Sequence, residues 1–221
     1  MEKSSDVRRI VITAIIGALI VIIGGLIVRN SAFDFPITES FNSLHHGVIG
    51  ATANAIYTLF KPLYSVIWTI VISVIIMVTR KNWRLGFVFG LTVLFTWLPI
   101  TIIKAIFERT RPDAELLPYP LLPTPADFSY PSGHTVIITI IMVGLVIVTT
   151  GTKLQKTTRI IAPIAILLIM FTVLTVGVHF FTDSLASVVW GVTVTPLVWL
   201  ALAKLFRTET PWTLAGSDSR L

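Results

Sequence analysis

Long apolar runs separated by short polar stretches make up most of the chain. A transmembrane helix needs about 17 to 25 mainly apolar residues to cross roughly 30 Å of hydrocarbon. Six runs come close to this length or reach it: residues 10–28, 63–78, 85–103, 135–150, 160–178 and 184–203. The pattern therefore predicts an all-α integral membrane protein whose six transmembrane helices form a bundle.

The stretch between the first two runs, residues 30–62, is more polar. It contains Asp34, Glu39, Asn42, His45 and His46, too many polar groups for a seventh crossing. Apolar residues interspersed among them predict short helices lying at the membrane interface. No repeat or soluble second domain is visible, so we expect one membrane domain over residues 1–221. Its motif-bearing core covers about 60–205, and a cytoplasmic tail covers 207–221.

Composition supports the membrane assignment. Hydrophobic residues make up 54% of the chain and charged residues 13%, about half the charged fraction of a soluble domain. The net charge of +6 is spread singly or in short groups without a basic face, which argues against nucleic acid as a partner. The absence of cysteine excludes disulfides, thiolate catalysis and cysteine-type zinc sites.

Lysine and arginine are distributed unevenly between the two predicted sides of the membrane. Twelve of the seventeen fall on one side, and the positive-inside rule makes that side, with both termini, cytoplasmic. They are Lys3, Arg8, Arg9, Arg80, Lys81, Arg84, Lys153, Lys156, Arg159, Lys204, Arg207 and Arg220. Three of the five outer cations, Lys104, Arg109 and Arg111, lie within eight residues. This concentration on the side normally poor in cations indicates an anion-binding site.

The first candidate cluster is Lys104 with Arg111 and Pro112, at the outer end of the third predicted span. Lysine supplies a compact charge and arginine a planar fork, which together suit a phosphate approached from two directions. The simpler alternative for Lys104 is a cation that extends from the helix end toward water.

The second cluster precedes the fourth predicted span, where a polar loop ends in Pro131-Ser132-Gly133-His134. Backbone amides at a helix start attract anions, and Gly133 lets an oxyanion approach closely. The alternative is an ordinary helix start beside an incidental histidine.

The third cluster is His179 and Asp183, four residues apart and on one helical face if the helix continues. An acid beside histidine can fix its tautomer and support the imidazolium. All three clusters fall on the outer side, because every second crossing returns the chain there. His45 and His46 are adjacent and do not form a chelate by themselves, so we expect no metal site and no cofactor.

The ordered motifs Lys104-x6-Arg111-Pro112, Pro131-Ser132-Gly133-His134 and His179-x3-Asp183 resemble those of the type 2 phosphatidic acid phosphatase superfamily of membrane lipid phosphatases. The resemblance implies metal-independent hydrolysis of a phosphate ester in a six-helix membrane bundle. It implies His179 as a nucleophile that forms a phosphohistidine, Asp183 as its orienting acid and His134 as the proton donor. It further implies that the phosphoryl oxygens are held by Lys104, Arg111, Ser132 and the Gly133 amide.

The chain departs from the family pattern at one position. The third motif of the family normally begins with Ser-Arg, six to seven residues before the nucleophilic histidine, where this chain has Thr172 and Val173. We expect Arg109, which stands outside the motif, to supply the missing phosphate contact.

The expected function is removal of phosphate from a lipid phosphate or diphosphate at the outer face of the cell membrane. Undecaprenyl diphosphate, phosphatidic acid and phosphatidylglycerol phosphate are all open as substrates, and an outer site suits recycling of carrier lipids released there. Two alternatives remain: a lipid phosphotransferase using the same site, and a non-catalytic lipid-phosphate-binding scaffold, prompted by the missing arginine. The expected partners are the bilayer and the lipid substrate, and the sequence does not define an oligomeric state.

Overall fold

The computed structural model of the protein describes residues 2–208, with side chains from residue 5 onward. This part of the chain forms eight α-helices and contains no β-strand. The helices are α1 (Glu2–Val28), α2 (Phe35–Asn42), α3 (Gly47–Leu59), α4 (Pro62–Thr79), α5 (Trp83–Phe107), α6 (Gly133–Thr149), α7 (Gln155–Thr175) and α8 (Phe181–Leu205). The predicted tail from residue 209 on, with Arg220, lies outside the described residues.

Among the described residues, five helices are long and apolar enough to cross a membrane. These segments are Ser5–Val28, Pro62–Thr79, Trp83–Phe107, Gln155–Thr175 and Phe181–Leu205. The remaining predicted span corresponds to α6, an apolar helix of 17 residues and therefore about 25 Å long. Five predicted spans are confirmed as helices of membrane-crossing length, and a crossing by α6 stays a prediction.

The outward faces of the long helices carry large apolar side chains. Ile23, Ile70 and Leu167 are each more than half exposed, at 54%, 58% and 64%. A soluble protein would lose stability by presenting such continuous apolar surface to water, whereas lipid tails solvate it. The chain is therefore a membrane protein.

Helix α6 is the most enclosed element of the bundle. It packs against α5, α7 and α8, and Val136, Ile140 and Ile141 are fully or almost fully buried. Its approach to α8 depends on Gly191, where a Cβ atom would lie 2.5 Å from Cγ2 of Thr139. Helix α8 also packs against α1 and α5, while α4 lies against α5.

The two short helices predicted between the first and second spans are present as α2 and α3. Both pack against α7, and α2 also contacts α8. Their location at a membrane interface stays a prediction. At the same end of the bundle lie the C-terminus of α5, the long loop before α6, the N-terminus of α6 and the loop between α7 and α8, so a shared cavity forms there.

Candidate active site

A cavity of about 800 Å³ opens where α5 ends and α6 begins. Its wall includes Lys104, Arg111, Gly133, His134 and His179. The tertiary structure therefore brings members of all three sequence clusters to one cavity.

His179 lies in the loop between α7 and α8, with only 1% of its surface exposed. Its Nδ1 atom is 3.4 Å from Oδ2 of Asp183, and its Nε2 atom is 3.3 Å from Nη1 of Arg111. A guanidinium can only donate hydrogen bonds, so Nε2 is the acceptor and Nδ1 carries the proton that faces the carboxylate. This tautomer leaves a lone pair on the nitrogen nearest Arg111, at the cavity.

No helix continues from His179 to Asp183, because α7 ends at Thr175 and α8 begins at Phe181. The carboxylate of Asp183 instead turns back and accepts a hydrogen bond from the backbone N–H of Phe180 at 2.9 Å. Ser129 donates a second hydrogen bond to the same oxygen. Asp183 thus anchors the start of α8 and faces His179 at the same time.

The surroundings of His179 favour its neutral form. Burial is the largest cause that lowers the pKa of His179 well below its ordinary value, and the charges of Arg111 and Lys104 lower it further. A neutral imidazole at pH 7 is the form that can act as a nucleophile.

Lys104 and Arg111 share one carboxylate on the cavity wall. Asp127 accepts from Nζ of Lys104 at 2.9 Å and from Nη2 of Arg111 at 2.6 Å, and its side chain is 58% exposed. Burial opposes ionisation of Asp127, but the two cations outweigh it and hold the pKa of this carboxyl well below its usual range. Arg111 also donates to the carbonyl of Val178 at 2.6 Å, next to His179.

His134 lines the cavity at the start of α6. Its ring stacks on Tyr57 of α3 with the ring centres 4.2 Å apart, and its buried Nε2 atom has no hydrogen-bond partner among the described residues. A Cβ atom on Gly133 would meet nothing within 4 Å, so the backbone of this first residue of α6 borders open space. The part of the cavity beside His134 and Gly133 can therefore accept a ligand group that hydrogen-bonds to Nε2 of His134.

Ser132, which the motif resemblance places among the groups that hold the phosphoryl oxygens, does not line the cavity. The side chain is fully buried, and its hydroxyl accepts from the backbone N–H of Thr135 at 3.3 Å, which caps α6. Its backbone N–H donates to the carbonyl of Asp183 at 3.2 Å. Ser132 therefore ties α6 to α8 beneath the cavity instead of lining it.

Arg109 also differs from the prediction, because it points away from the cavity. Its side chain is 1% exposed and pairs with Asp183 at 2.6 Å and Asp34 at 2.8 Å. Further hydrogen bonds go to Thr182 at 2.7 Å and the carbonyl of Ser31 at 2.9 Å. The expected phosphate contact is thus corrected: Arg109 holds the acid that faces His179.

Val173, at the position of the missing family arginine, is fully buried in the apolar core. It does not reach the cavity. The cations on the described cavity wall are instead Lys61, Lys104 and Arg111.

Sequence reasoning missed Asp34 and Ser129 as members of this region, and it interpreted Asp127 only as an acid that is solvated or paired with Arg109 and Arg111. Asp34 belongs to the stretch that is predicted to lie at the membrane interface. The sequence feature that could have identified it is the helical spacing of the polar residues Asp34, Thr38 and Asn42. Asp34, Thr38 and Asn42 are all buried, although the neighbouring residues on the helix surface are exposed. Spacing alone could not show what they contact.

The two adjacent histidines are used in local contacts. His45 bonds to the carbonyl of Tyr119 at 2.6 Å and to Asn54 at 3.0 Å, and the ring of His46 lies 5.3 Å from that of Tyr119. Within the described side chains, no group of three or more His, Asp or Glu residues is arranged to hold a metal ion.

Comparison with known proteins supports the motif assignment. No curated protein matches the sequence. The crystal structure of the first transmembrane PAP2-type phosphatidylglycerolphosphate phosphatase from Bacillus subtilis superimposes with a TM-score of 0.67 at 20% identity, covering 88% of this chain and 96% of that one. LpxE from Aquifex aeolicus gives a TM-score of 0.62 at 21% identity, covering 79% and 98%. At these identities the similarity shows a common fold.

The sequence match is the more specific finding. The model of the PAP2 superfamily matches residues 81–207, which is more than half of the chain. These residues include every motif that lines the cavity, from Lys104 to Asp183. The chain therefore belongs to the PAP2 superfamily, the type 2 phosphatidic acid phosphatases.

Proposed function

We propose that the protein is a membrane lipid phosphatase that works through a phosphohistidine on His179. The observation that carries this proposal is the orientation of one imidazole. Its proton-bearing Nδ1 faces Asp183, and its Nε2 lone pair faces Arg111 at the cavity. A nucleophile with an orienting acid behind it and a cation beside it suits attack on a phosphorus atom.

In the first step, Nε2 of His179 attacks phosphorus while the bond between phosphorus and the leaving oxygen breaks. Lys104, Arg111 and the Gly133 amide stabilise the non-bridging oxygens as charge builds on them. The imidazole becomes positively charged, and Asp183 stabilises that charge. His134, protonated next to the anionic phosphate, gives its proton to the leaving oxygen.

In the second step, water attacks the phosphohistidine. His134, now neutral, takes a proton from the water, the bond between Nε2 and phosphorus breaks, and inorganic phosphate leaves. The charge on phosphate is balanced by Lys104 and Arg111, so we propose that the reaction needs no metal ion.

An apolar groove between α4 and α5 supports a lipid as substrate. It has a volume of about 320 Å³ and is lined mainly by aliphatic and aromatic side chains. Pro62, Ser65, Trp97 and Ile137 line both this groove and the catalytic cavity. We propose that an acyl or prenyl chain lies in the groove while the phosphate reaches His179.

The proposed substrates are undecaprenyl diphosphate, phosphatidic acid and phosphatidylglycerol phosphate. Recycling of carrier lipids favours the first, and the fold shared with a phosphatidylglycerolphosphate phosphatase favours the last.

We propose six spans, with both termini in the cytoplasm and the cavity on the extracytoplasmic face of the cell membrane, because most basic residues then lie inside.

The test is release of inorganic phosphate by the purified protein in detergent, with a chelator present and each of the three lipids in turn. His179→Ala should lower kcat by at least about a thousandfold, because the nucleophile is gone. His46→Ala is the matched control, since His46 is an exposed histidine that does not line the cavity. Phosphate release that persists in His179→Ala would contradict the nucleophile assignment.

Two further outcomes separate the alternatives. If an added acceptor alcohol receives the phosphoryl group in preference to water, the protein is a phosphotransferase. If the intact protein binds these lipids but releases no phosphate from any of them, it is a binding scaffold.

A further inference from the structure

One buried face of α2 lies against the loop that carries His179. Asp34, at the N-terminal cap of α2, and Thr38 and Asn42 within it are four residues apart and share this face. Each is at most 1% exposed. All three precede residue 81, where the match to the superfamily begins.

Thr38 and Asn42 hold the backbone of the loop and of the helix before it. The hydroxyl of Thr38 donates to the carbonyl of His179 itself, at 3.3 Å. The side-chain amide of Asn42 donates to the carbonyl of Thr175, the last residue of α7, at 2.9 Å. Between these two points, Gly177 has a φ of +78°, and a Cβ atom there would lie 2.8 Å from Nδ2 of Asn42. The loop therefore fits closely against α2.

Asp34 holds the other end of the loop. Its Oδ2 atom accepts from the backbone N–H of Thr182 at 2.9 Å and from the Thr182 hydroxyl at 2.6 Å. Its Oδ1 atom accepts from Arg109, which in turn donates to Asp183 at 2.6 Å. One carboxylate thus fixes both the first turn of α8 and the cation that holds the acid facing His179.

These contacts reach three points of one short segment: the end of α7, the carbonyl of His179 and the first turn of α8. A buried polar group lowers stability unless its hydrogen bonds are satisfied, and apolar side chains would pack α2 against α7 without that cost. Apart from two hydrogen bonds between Asn42 and the backbone of Tyr119, the bonds described for this face converge on the segment that determines where Nε2 of His179 lies. We propose that Asp34, Thr38 and Asn42 position the His179 loop for attack on phosphorus. The inference rests on the proposed phosphatase function.

The test compares kcat and KM for one lipid phosphate in detergent, with thermal unfolding measured for every variant. Thr38→Val removes the hydrogen bond to His179 and should lower kcat about two- to tenfold, with KM within about twofold of the wild type. Thr38→Ser keeps the hydroxyl and should restore kcat. A purely stabilising role would lower the unfolding temperature without this selective effect on kcat.

Asp34→Asn is the second variant. It removes a charged acceptor and should lower kcat about ten- to a hundredfold with little change in KM, since Lys104 and Arg111 are untouched. Glu39→Gln on the same helix is the matched control, because Glu39 is exposed and outside this face. Its kcat should equal that of the wild type.

Several results would overturn the inference. These are wild-type kcat in both Thr38→Val and Asp34→Asn, losses expressed only as a higher KM, or equal losses in Thr38→Ser and Thr38→Val. If Asp34→Asn does not fold, the Thr38 pair decides the question. If the wild-type protein releases no phosphate, the proposed function is refuted. If the wild type is active and the variants are unaffected, only the positioning role is refuted.

Discussion

At the scale of single residues, the cavity contains its own competitor for phosphate. The carboxylate of Asp127 bridges Lys104 and Arg111, the two cations that the proposed mechanism assigns to the phosphoryl oxygens. A carboxylate and a phosphate use the same donors in similar geometry. We therefore predict that the substrate phosphate displaces Asp127 from these ion pairs.

We predict that Asp127→Asn binds phosphate more tightly. Two partly exposed ion pairs contribute about 0.2 to 1 kcal/mol each, so the inhibition constant of inorganic phosphate should fall about two- to thirtyfold. Glu115→Gln removes an exposed charge from the same loop and serves as the control. Unchanged or weaker inhibition in Asp127→Asn would show that this carboxylate does not compete.

The second prediction at this scale concerns pH. His179 attacks as the neutral base, and its pKa is lowered by burial and by Arg111 and Lys104. On the acid side, activity is lost as pH falls through that lowered pKa, so the acid limb of kcat/KM should lie below pH 6.5, the ordinary value for histidine. A limb centred above about 6.5 would contradict the environment described for His179.

At the scale of elements, the contact between α4 and α5 shapes the apolar groove. A Cβ atom on Gly86 would lie 2.3 Å from the carbonyl oxygen of Ser73, so the two helices can approach this closely only with glycine there. Gly90 lies one turn further along and lines the groove. A Cβ atom at Gly90 would meet only the side chain of Ser73, at 2.9 Å and beyond, so a side chain there would extend into the groove.

We predict that Gly90→Leu discriminates between substrates by chain length. Displacing two methylenes from the groove should raise KM for a long-chain lipid phosphate about tenfold, while kcat/KM for a short-chain analogue stays unchanged. Leu98→Phe is the control, because Leu98 is exposed on α5 and does not line the groove. Equal losses for both chain lengths would mean that the groove does not hold the lipid chain.

At the scale of the whole molecule, the site is assembled at one end of the bundle from segments that are distant in sequence. Lys104 ends α5, His134 begins α6 and His179 precedes α8. Successive crossings alternate in direction, so these three helix ends lie on the same side of the membrane if α6 also crosses it. The distribution of basic residues predicts that this side is extracytoplasmic.

The topology can be tested by cysteine labelling, because the chain contains no cysteine of its own. In intact cells, Glu115→Cys should react with a membrane-impermeant maleimide, and Lys153→Cys should react only after the membrane is permeabilised. Both positions are exposed, so access to the reagent depends on the side of the membrane. The reverse labelling pattern would place the cavity on the cytoplasmic side.

The sequence by itself determined the helical membrane architecture and five of the residues that line the cavity. Apolar runs predict spans because backbone groups inside lipid must be satisfied within a helix, and this rule acts locally. Lys104, Arg111, Gly133, His134 and His179 belong to motifs at predicted span ends, and the fold brings these ends to one cavity.

Only the tertiary structure decided which groups contact each other within that end of the bundle. Arg109 was expected at the phosphate, but it pairs with two buried carboxylates, one of them Asp34, which is 75 residues away. Ser132 was expected there too, yet its hydroxyl caps α6. Such choices depend on side-chain distances between helices, which periodicity does not encode. For the same reason, helical periodicity does not indicate that the buried polar face of α2 contacts the His179 loop.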